Sequence, residues 1–179
     1  MLNANNTVLV IVDVQGKLAH MMHDKETLFA NVQRMIRGAK VLDIPILWAE
    51  QYPEKLGGTI EEIASLLQGQ QAISKMSFSC AQNPQFNAAL EALSRKQVLV
   101  TGMEAHVCVH HTAIDLVAQG YEVEVVEDAI GARVASNKAV AVRKMCALGV
   151  GLTSTEMALF ELMGSCEHPA FRQIQAIFK

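Results

Sequence analysis

The chain has no run of basic residues and no stripe lined by arginine or lysine: 15 Lys and Arg are scattered among 18 Asp and Glu, for a formal net charge of −3. The electrostatic footprint that holds a phosphate backbone or an anionic lipid surface is missing, so a small-molecule partner is expected, with no nucleic acid and no membrane. No uninterrupted apolar stretch approaches the roughly 18 residues that a bilayer-spanning helix needs, and the N-terminus lacks a basic segment leading into an apolar one. A cytoplasmic location is expected. The four cysteines, Cys80, Cys108, Cys146 and Cys166, have neither CxxC nor disulfide-framework spacing and read as reduced thiols. No linker, repeat or low-complexity segment interrupts the 179 residues, a length that suits one domain over residues 1–179. Charge is scarce as well: 18% of residues against 51% hydrophobic. A surface so short of charge is commonly hidden in part, and a homo-oligomer is expected.

What is present is a regular alternation. Thr7-Val-Leu-Val-Ile-Val12 is fully apolar and β-branched, as a strand covered on both faces should be. From Lys25 to Leu42 the apolar residues Leu28, Val32, Met35, Ile36, Ala39 and Leu42 recur at helical spacing. Further strands are expected over 45–49, 71–75, 97–101, 121–126 and 150–153, separated by helices over 109–119, 155–163 and 169–178 and helices following Asn83 and Ser136. Thr59-x-x-Glu62 reads as a capping box, Asn83-Pro84 as N-cap and first helical position, Ser136 as a cap, and Gly120 as a helix stop. Strand and helix in strict alternation predict an α/β, doubly wound three-layer sandwich with a mostly parallel six-stranded, Rossmann-like sheet.

Three residues with chemical capacity fall at the carboxyl ends of three different strands: Asp13, Lys75 and Cys108. Open parallel sheets bind ligands at that edge. Each residue has an ordinary explanation too: a capping aspartate, a solvated lysine, a small buried cysteine. Together they form a set. A carboxylate can take the thiol proton and later activate water, a cation can favour the ionised carboxylate, and a helix start can lower a thiol pKa and hold an oxyanion. His106 and His110 have a spacing that could share a metal on a helix face, but no third ligand stands out.

Val-Asp13-Val-Gln, Ile-Ser-Lys75-Met-Ser-Phe-Ser and Gly102-Met-Glu-Ala-His-Val-Cys108-Val resemble the three motifs of the isochorismatase-like cysteine hydrolase superfamily, in the same order. The loop Glu50-Gln-Tyr-Pro and the tail His168-Pro-Ala-Phe resemble its isochorismatase domain-containing subgroup. The resemblance implies a catalytic triad of Asp13 as general base, Lys75 as its electrostatic partner and Cys108 as nucleophile. It also implies a cis peptide at Met103–Glu104, an oxyanion hole from the main-chain N–H groups of Glu104 and Cys108, and a dimer or tetramer. Nicotinamidases of this superfamily carry an Asp and two His as metal ligands near the second strand's exit, whereas this exit reads Trp48-Ala-Glu-Gln-Tyr. Metal-independent chemistry without a cofactor is expected. Isochorismatases that cleave a vinyl ether lack the cysteine, so an amide or carbamoyl C–N bond is the expected target. Gln15, Gln51, Tyr52, Phe78 and His106 are the expected substrate contacts, and the alternatives are a non-turnover small-molecule-binding or redox-responsive protein on the same fold, or an ether-cleaving isochorismatase-type hydrolase.

Overall fold

Short apolar strands that alternate with helices cannot pair as hairpins, so each helix carries the chain back across the sheet and the next strand runs parallel. The computed structural model describes residues 1–179. In chain order its elements are β1 (Thr7–Val12), α1 (Gly16–Ala19), α2 (Lys25–Val41), β2 (Ile46–Gln51), α3 (Pro53–Leu56), α4 (Glu61–Ala64), β3 (Ile73–Lys75), α5 (Pro84–Ala92) and β4 (Gln97–Met103). A π turn (Ala105–Val109) then runs into α6 (His110–Ala118), followed by β5 (Glu122–Gly131), α7 (Ala135–Ala147), β6 (Gly151–Thr153), α8 (Thr155–Met163) and α9 (Phe171–Ile177). The strand order is β3-β2-β1-β4-β5-β6, and every neighbouring pair is parallel. The order reverses between β1 and β4, which is where doubly wound sheets open a ligand crevice.

The period-2 alternation of the strands feeds two cores. Leu9 and Ile11 of β1 and Leu99 of β4 face one apolar cluster with α2, α8 and Ile174 of α9. Val8, Val10, Val12, Val98 and Val100 face the other, which includes Phe86 and Leu90 of α5, Leu116 of α6 and Met145 of α7. Both faces of β1 are thus covered, as its unbroken apolar sequence requires. Gly102 lies where β1 and β4 are pressed together: it has φ +129°, and a Cβ there would sit 2.1 Å from the carbonyl oxygen of Val12. Only glycine fits that approach. No helix is long and apolar enough to cross a membrane.

Local expectations hold in part. Asn83 caps α5 through the N–H groups of Gln85 and Phe86, and Gly120 closes α6 with φ +84°. Thr59 does not cap α4: its hydroxyl and its N–H both bond Glu50 Oε1 at 2.7 Å, and Ile60 takes the N-cap position. Ser136 is also displaced as a cap, because α7 starts one residue earlier with Val134 before it. The strand expected to end at Val126 continues to Gly131 through a bulge, with Val100 paired to Val125 and Gly102 to Ile130. The Glu127-Asp128 pair, which looks like a strand exit in sequence, is the bulge itself.

Candidate active site

Asp13, Lys75 and Cys108 converge above the carboxyl ends of β1, β3 and β4. All three are buried, at 3%, 2% and 7% exposure. A buried lysine must find partners, and Lys75 finds four: its Nζ lies 2.8 Å from Asp13 Oδ2, 2.8 Å from Gln51 Oε1, 3.2 Å from the Ser77 carbonyl and 3.1 Å from the Phe78 carbonyl. The loop after β3 therefore folds back over the lysine that begins it. Asp13 has a divided role. Oδ2 is held by Lys75, whereas Oδ1 is buried with no N–H or O–H donor. The Cys108 thiol, with Sγ 3.9 Å from Gln51 Oε1, is near enough for it and Asp13 to shift each other's titration.

The electrostatics follow from burial. Desolvation pushes the Asp13 carboxyl above the ordinary carboxylate range, against the opposing pull of Lys75 and the Cys108 hydrogen bond. Desolvation also pushes the Cys108 thiol well up, with the Asp13 charge adding to it and Lys75 opposing. This corrects the expected low-pKa thiolate. Cys108 is the fourth residue of the π turn, with a buried carboxylate beside it, so burial and like charge outweigh any helix-dipole benefit. The resting cysteine is a protonated thiol next to an acceptor. Cys80, fully buried nearby, is pushed up to about 12 by burial and by Asp13.

The corner between β4 and the π turn differs from expectation. The chain has no cis peptide bond, so Met103–Glu104 is trans. The turn is made by Glu104 in the left-handed region, with φ 55° and ψ 62°, a conformation that costs a non-glycine residue roughly 1–3 kcal/mol. Its carboxylate is anchored by Arg133, Nε to Oε1 at 2.7 Å, and lies 3.4 Å from His106 Nδ1. Asp13 and Tyr52, the residues leaving β1 and β2, are left-handed as well. Three left-handed residues thus lie at the edge where Asp13, Lys75 and Cys108 meet, while others, such as Asp43 and Ser94, lie elsewhere.

The five expected substrate contacts divide. Gln15 is buried: Nε2 donates to the carbonyls of Gln51 and Gly57 at 2.9 and 2.7 Å, and Oε1 accepts from the Gln51 N–H at 2.6 Å. These three bonds fix the β2 exit. Gln51 belongs to the site, bonding Lys75 through Oε1 and the Met76 carbonyl through Nε2, with Cys108 Sγ 3.9 Å from Oε1. Tyr52 is half-buried at the loop start, its N–H bonded to the Lys75 carbonyl. The Phe78 ring is exposed, 5.9 Å from the His111 ring. His106 is half-buried between Glu104 and Asn137, and Trp48 packs in the α2-side core. His106 and His110 do not join a third ligand, since no group of three His, Cys, Asp or Glu side chains is placed to hold a metal. Arg133, which clamps the corner before Cys108, escapes the sequence because the expected end of β5 leaves it in an unassigned loop. Its position just past Gly131 was the only signal.

Residues 7–157 match the family model described as Isochorismatase domain. Among curated proteins, the chain is 35% identical over 174 residues to isochorismatase domain-containing protein 1 of Salmo salar, covering 97% of this chain and 61% of that protein. It is 35% identical over 175 residues to isochorismatase domain-containing protein 2 of Rattus norvegicus, covering 97% and 81%. The chain therefore spans about three-fifths of the salmon relative's length and 52% of its Danio rerio counterpart. Among solved structures it is similar to the MAR1 ribonuclease of Caenorhabditis elegans, with TM-score 0.93, 32% identity, and coverage of 98% and 91%. The YcaC gene product of Escherichia coli, described as an octameric hydrolase of unknown specificity, matches with TM-score 0.88 and 22% identity, covering 99% and 95%.

Proposed function

Because the chain belongs to the isochorismatase family, we propose that it is a cysteine hydrolase acting on a small amide or carbamoyl-type C–N bond. The observation that supports this reading is that one Asp13 oxygen is pinned by Lys75 while the other is buried without a hydrogen-bond partner, near a protonated Cys108 thiol. In the first step Sγ attacks the substrate carbonyl as its proton passes to Asp13, which avoids a free buried thiolate. The main-chain N–H groups of Glu104 and Cys108 take the oxyanion. Protonated Asp13 returns the proton to the leaving amine, and the Cys108 thioester remains. Asp13 then takes a proton from water, hydroxide adds to the thioester, and the acid departs with the thiol restored. Lys75 keeps Asp13 ionised between these transfers and fixes the oxygen that does not carry the proton.

The name of the nematode relative points to RNA, but a net charge of −3 without a basic stripe opposes a polyanionic substrate. We place homo-oligomerisation in the same reading. Val134, Val140, Leu148, Leu152 and Met157 leave exposed apolar surface around α7 and β6, and light scattering at the mass of one chain would remove that part.

The test is intact-mass analysis of the protein quenched during incubation with small primary amides and ureido acids. A substrate is expected to add its acyl mass to Cys108 and release amine or ammonia, and both signals should vanish in Cys108→Ala and fall by about 10³-fold or more in Asp13→Asn. Turnover that survives Cys108→Ala would overturn the reading. So would a panel that gives no adduct and no product while an RNA substrate is degraded.

A further inference from the structure

A second cavity lies on the same edge of the sheet but away from the triad, between the start of α2, the end of β5 and the start of α7. Its volume is about 310 Å³, within the range of small-molecule sites. Its lining includes His23, Asp24, Leu28, Asp128, Ile130 and Lys138, and none of these serves the chemistry at Cys108.

Lys138 carries the argument. It is half-buried in the first turn of α7, yet its amine makes no ion pair and donates no hydrogen bond. Asp24, Glu127 and Asp128 are near enough to act on its charge, but burial wins and lowers its pKa. The carboxylates opposite it are also underused. Asp128 is fixed by one oxygen, Oδ1 accepting from the N–H and hydroxyl of Thr155 at 2.8 Å each, and the other oxygen makes no hydrogen bond. Asp24 stands at the N-cap of α2 in the left-handed region, but its side chain does not cap the helix. The frame is firm: the His23 N–H bonds the Ala132 carbonyl at 3.0 Å, and Asn31 holds the Asp128 carbonyl at 2.9 Å. The cavity thus presents a half-buried cation without a partner, the free oxygen of half-buried Asp128, the exposed carboxylate of Asp24 at its rim, and an apolar wall of Leu28 and Ile130.

We propose that this cavity is a second ligand site, separate from the hydrolase centre, for a small zwitterion of the α-amino-acid type. The ligand's ammonium group sits between Asp24 and Asp128, its carboxylate meets Lys138, and a small aliphatic side chain rests on Leu28 and Ile130. A simple anion would face two carboxylates for one amine, and a simple amine would leave Lys138 unpaired. A molecule that carries both charges satisfies all three groups.

Calorimetric titration of the full chain with L-valine tests this, beside isobutylamine and isovalerate, which each keep one end of valine. Saturable binding of L-valine is expected, with both one-ended analogues at least about tenfold weaker, and with the same loss in Lys138→Met and Asp128→Asn. Binding should be unchanged in Cys108→Ala. Hydrogen exchange on the wild-type chain gives a readout independent of variant folding: L-valine should slow exchange in residues 23–28 and 130–138. No saturable heat with L-valine, analogues that bind as well as valine, or binding lost in Cys108→Ala would each overturn the proposal.

Discussion

Lys75 and Lys138 both stand at the carboxyl edge of the sheet, one closing β3 and the other in the first turn of α7, and the fold treats them oppositely. Lys75 is enclosed by four acceptors, among them the carbonyls of the loop it begins. Lys138 is half-buried beside acids that it does not touch. Desolvating the fully buried Lys75 ammonium costs several kcal/mol, which its four acceptors return, whereas the smaller cost at half-buried Lys138 is not returned within the protein. A lysine satisfied in this way is part of the frame and holds other groups still. A lysine left unsatisfied in a cavity is a position for something else. The acids compare likewise: Asp13 has one oxygen assigned to Lys75 and one buried without a partner, while Asp128 has one assigned to Thr155 and one open to a cavity.

The comparison breaks most visibly at Lys75. Lys75→Met removes the cation and leaves Asp13 buried without a counter-charge, so a loss of about 3–5 kcal/mol in chemical denaturation is expected at neutral pH. Turnover should disappear with it. The penalty should depend on pH, because a buried carboxyl without its lysine is raised further and can escape by protonation. Its folded pKa then lies above the unfolded one, so the stability linked to the proton is complete below the ordinary carboxylate range and is lost as pH rises through the folded value. Lys75→Met with Asp13→Asn removes both charges and should recover most of the loss. A double variant no more stable than the single one would mean that the carbonyl contacts of Ser77 and Phe78, and not the ion pair, are what Lys75 secures.

A smaller effect is read from the titration of the wild-type site. Burial raises both Asp13 and Cys108, so the acidic limb of kcat/KM should lie above the ordinary carboxylate range, with activity rising as Asp13 ionises. Over the same interval the contribution of Asp13 to stability falls, since its folded pKa exceeds its unfolded one. Iodoacetamide, which needs a thiolate, should modify the exposed Cys146 and Cys166 before Cys108 at neutral pH, and Cys108 should react only as pH rises beyond the ordinary thiol range. A Cys108 that alkylates first at neutral pH would replace the protonated resting thiol with a preformed thiolate.

Much of this edge can be read from the sequence, and the part that cannot has a common cause. Asp13, Lys75 and Cys108 are legible because each lies at or just beyond the end of a strand, in a motif that resembles the family's, and parallel strands bring their ends together. The doubly wound sheet follows from the same alternation. The roles of Gln15 and Gln51 are not legible, since an amide near a strand end looks the same whether it faces a ligand or, as here, ties one loop to another. The corner at Glu104 was expected to be cis, but it is a trans, left-handed turn held by Arg133. That anchor comes from a segment that the β5 bulge displaces. The Lys138 cavity joins α2 to the β5–α7 connection, and no periodicity within either segment reveals the other.

The smallest expected effect is the one that separates the two lysines. If Lys138 held the frame together, Lys138→Met would destabilise the protein as Lys75→Met does. Without a hydrogen bond or ion pair to lose, the variant gives up only a weak attraction to Asp24, Glu127 and Asp128, and it relieves the desolvation that lowers the amine's pKa. These terms oppose each other, and the denaturation midpoint should stay within about 0.5 kcal/mol of wild type. The sign also has a pH test. The folded pKa of Lys138 lies below its unfolded value, so protonation is harder in the folded state, and wild-type stability should rise slightly relative to Lys138→Met as the lysine deprotonates at alkaline pH. A loss above 2 kcal/mol, on the order expected for a buried partner left unpaired, would make Lys138 a structural residue like Lys75. It would also leave the cavity beside it without its vacant cation.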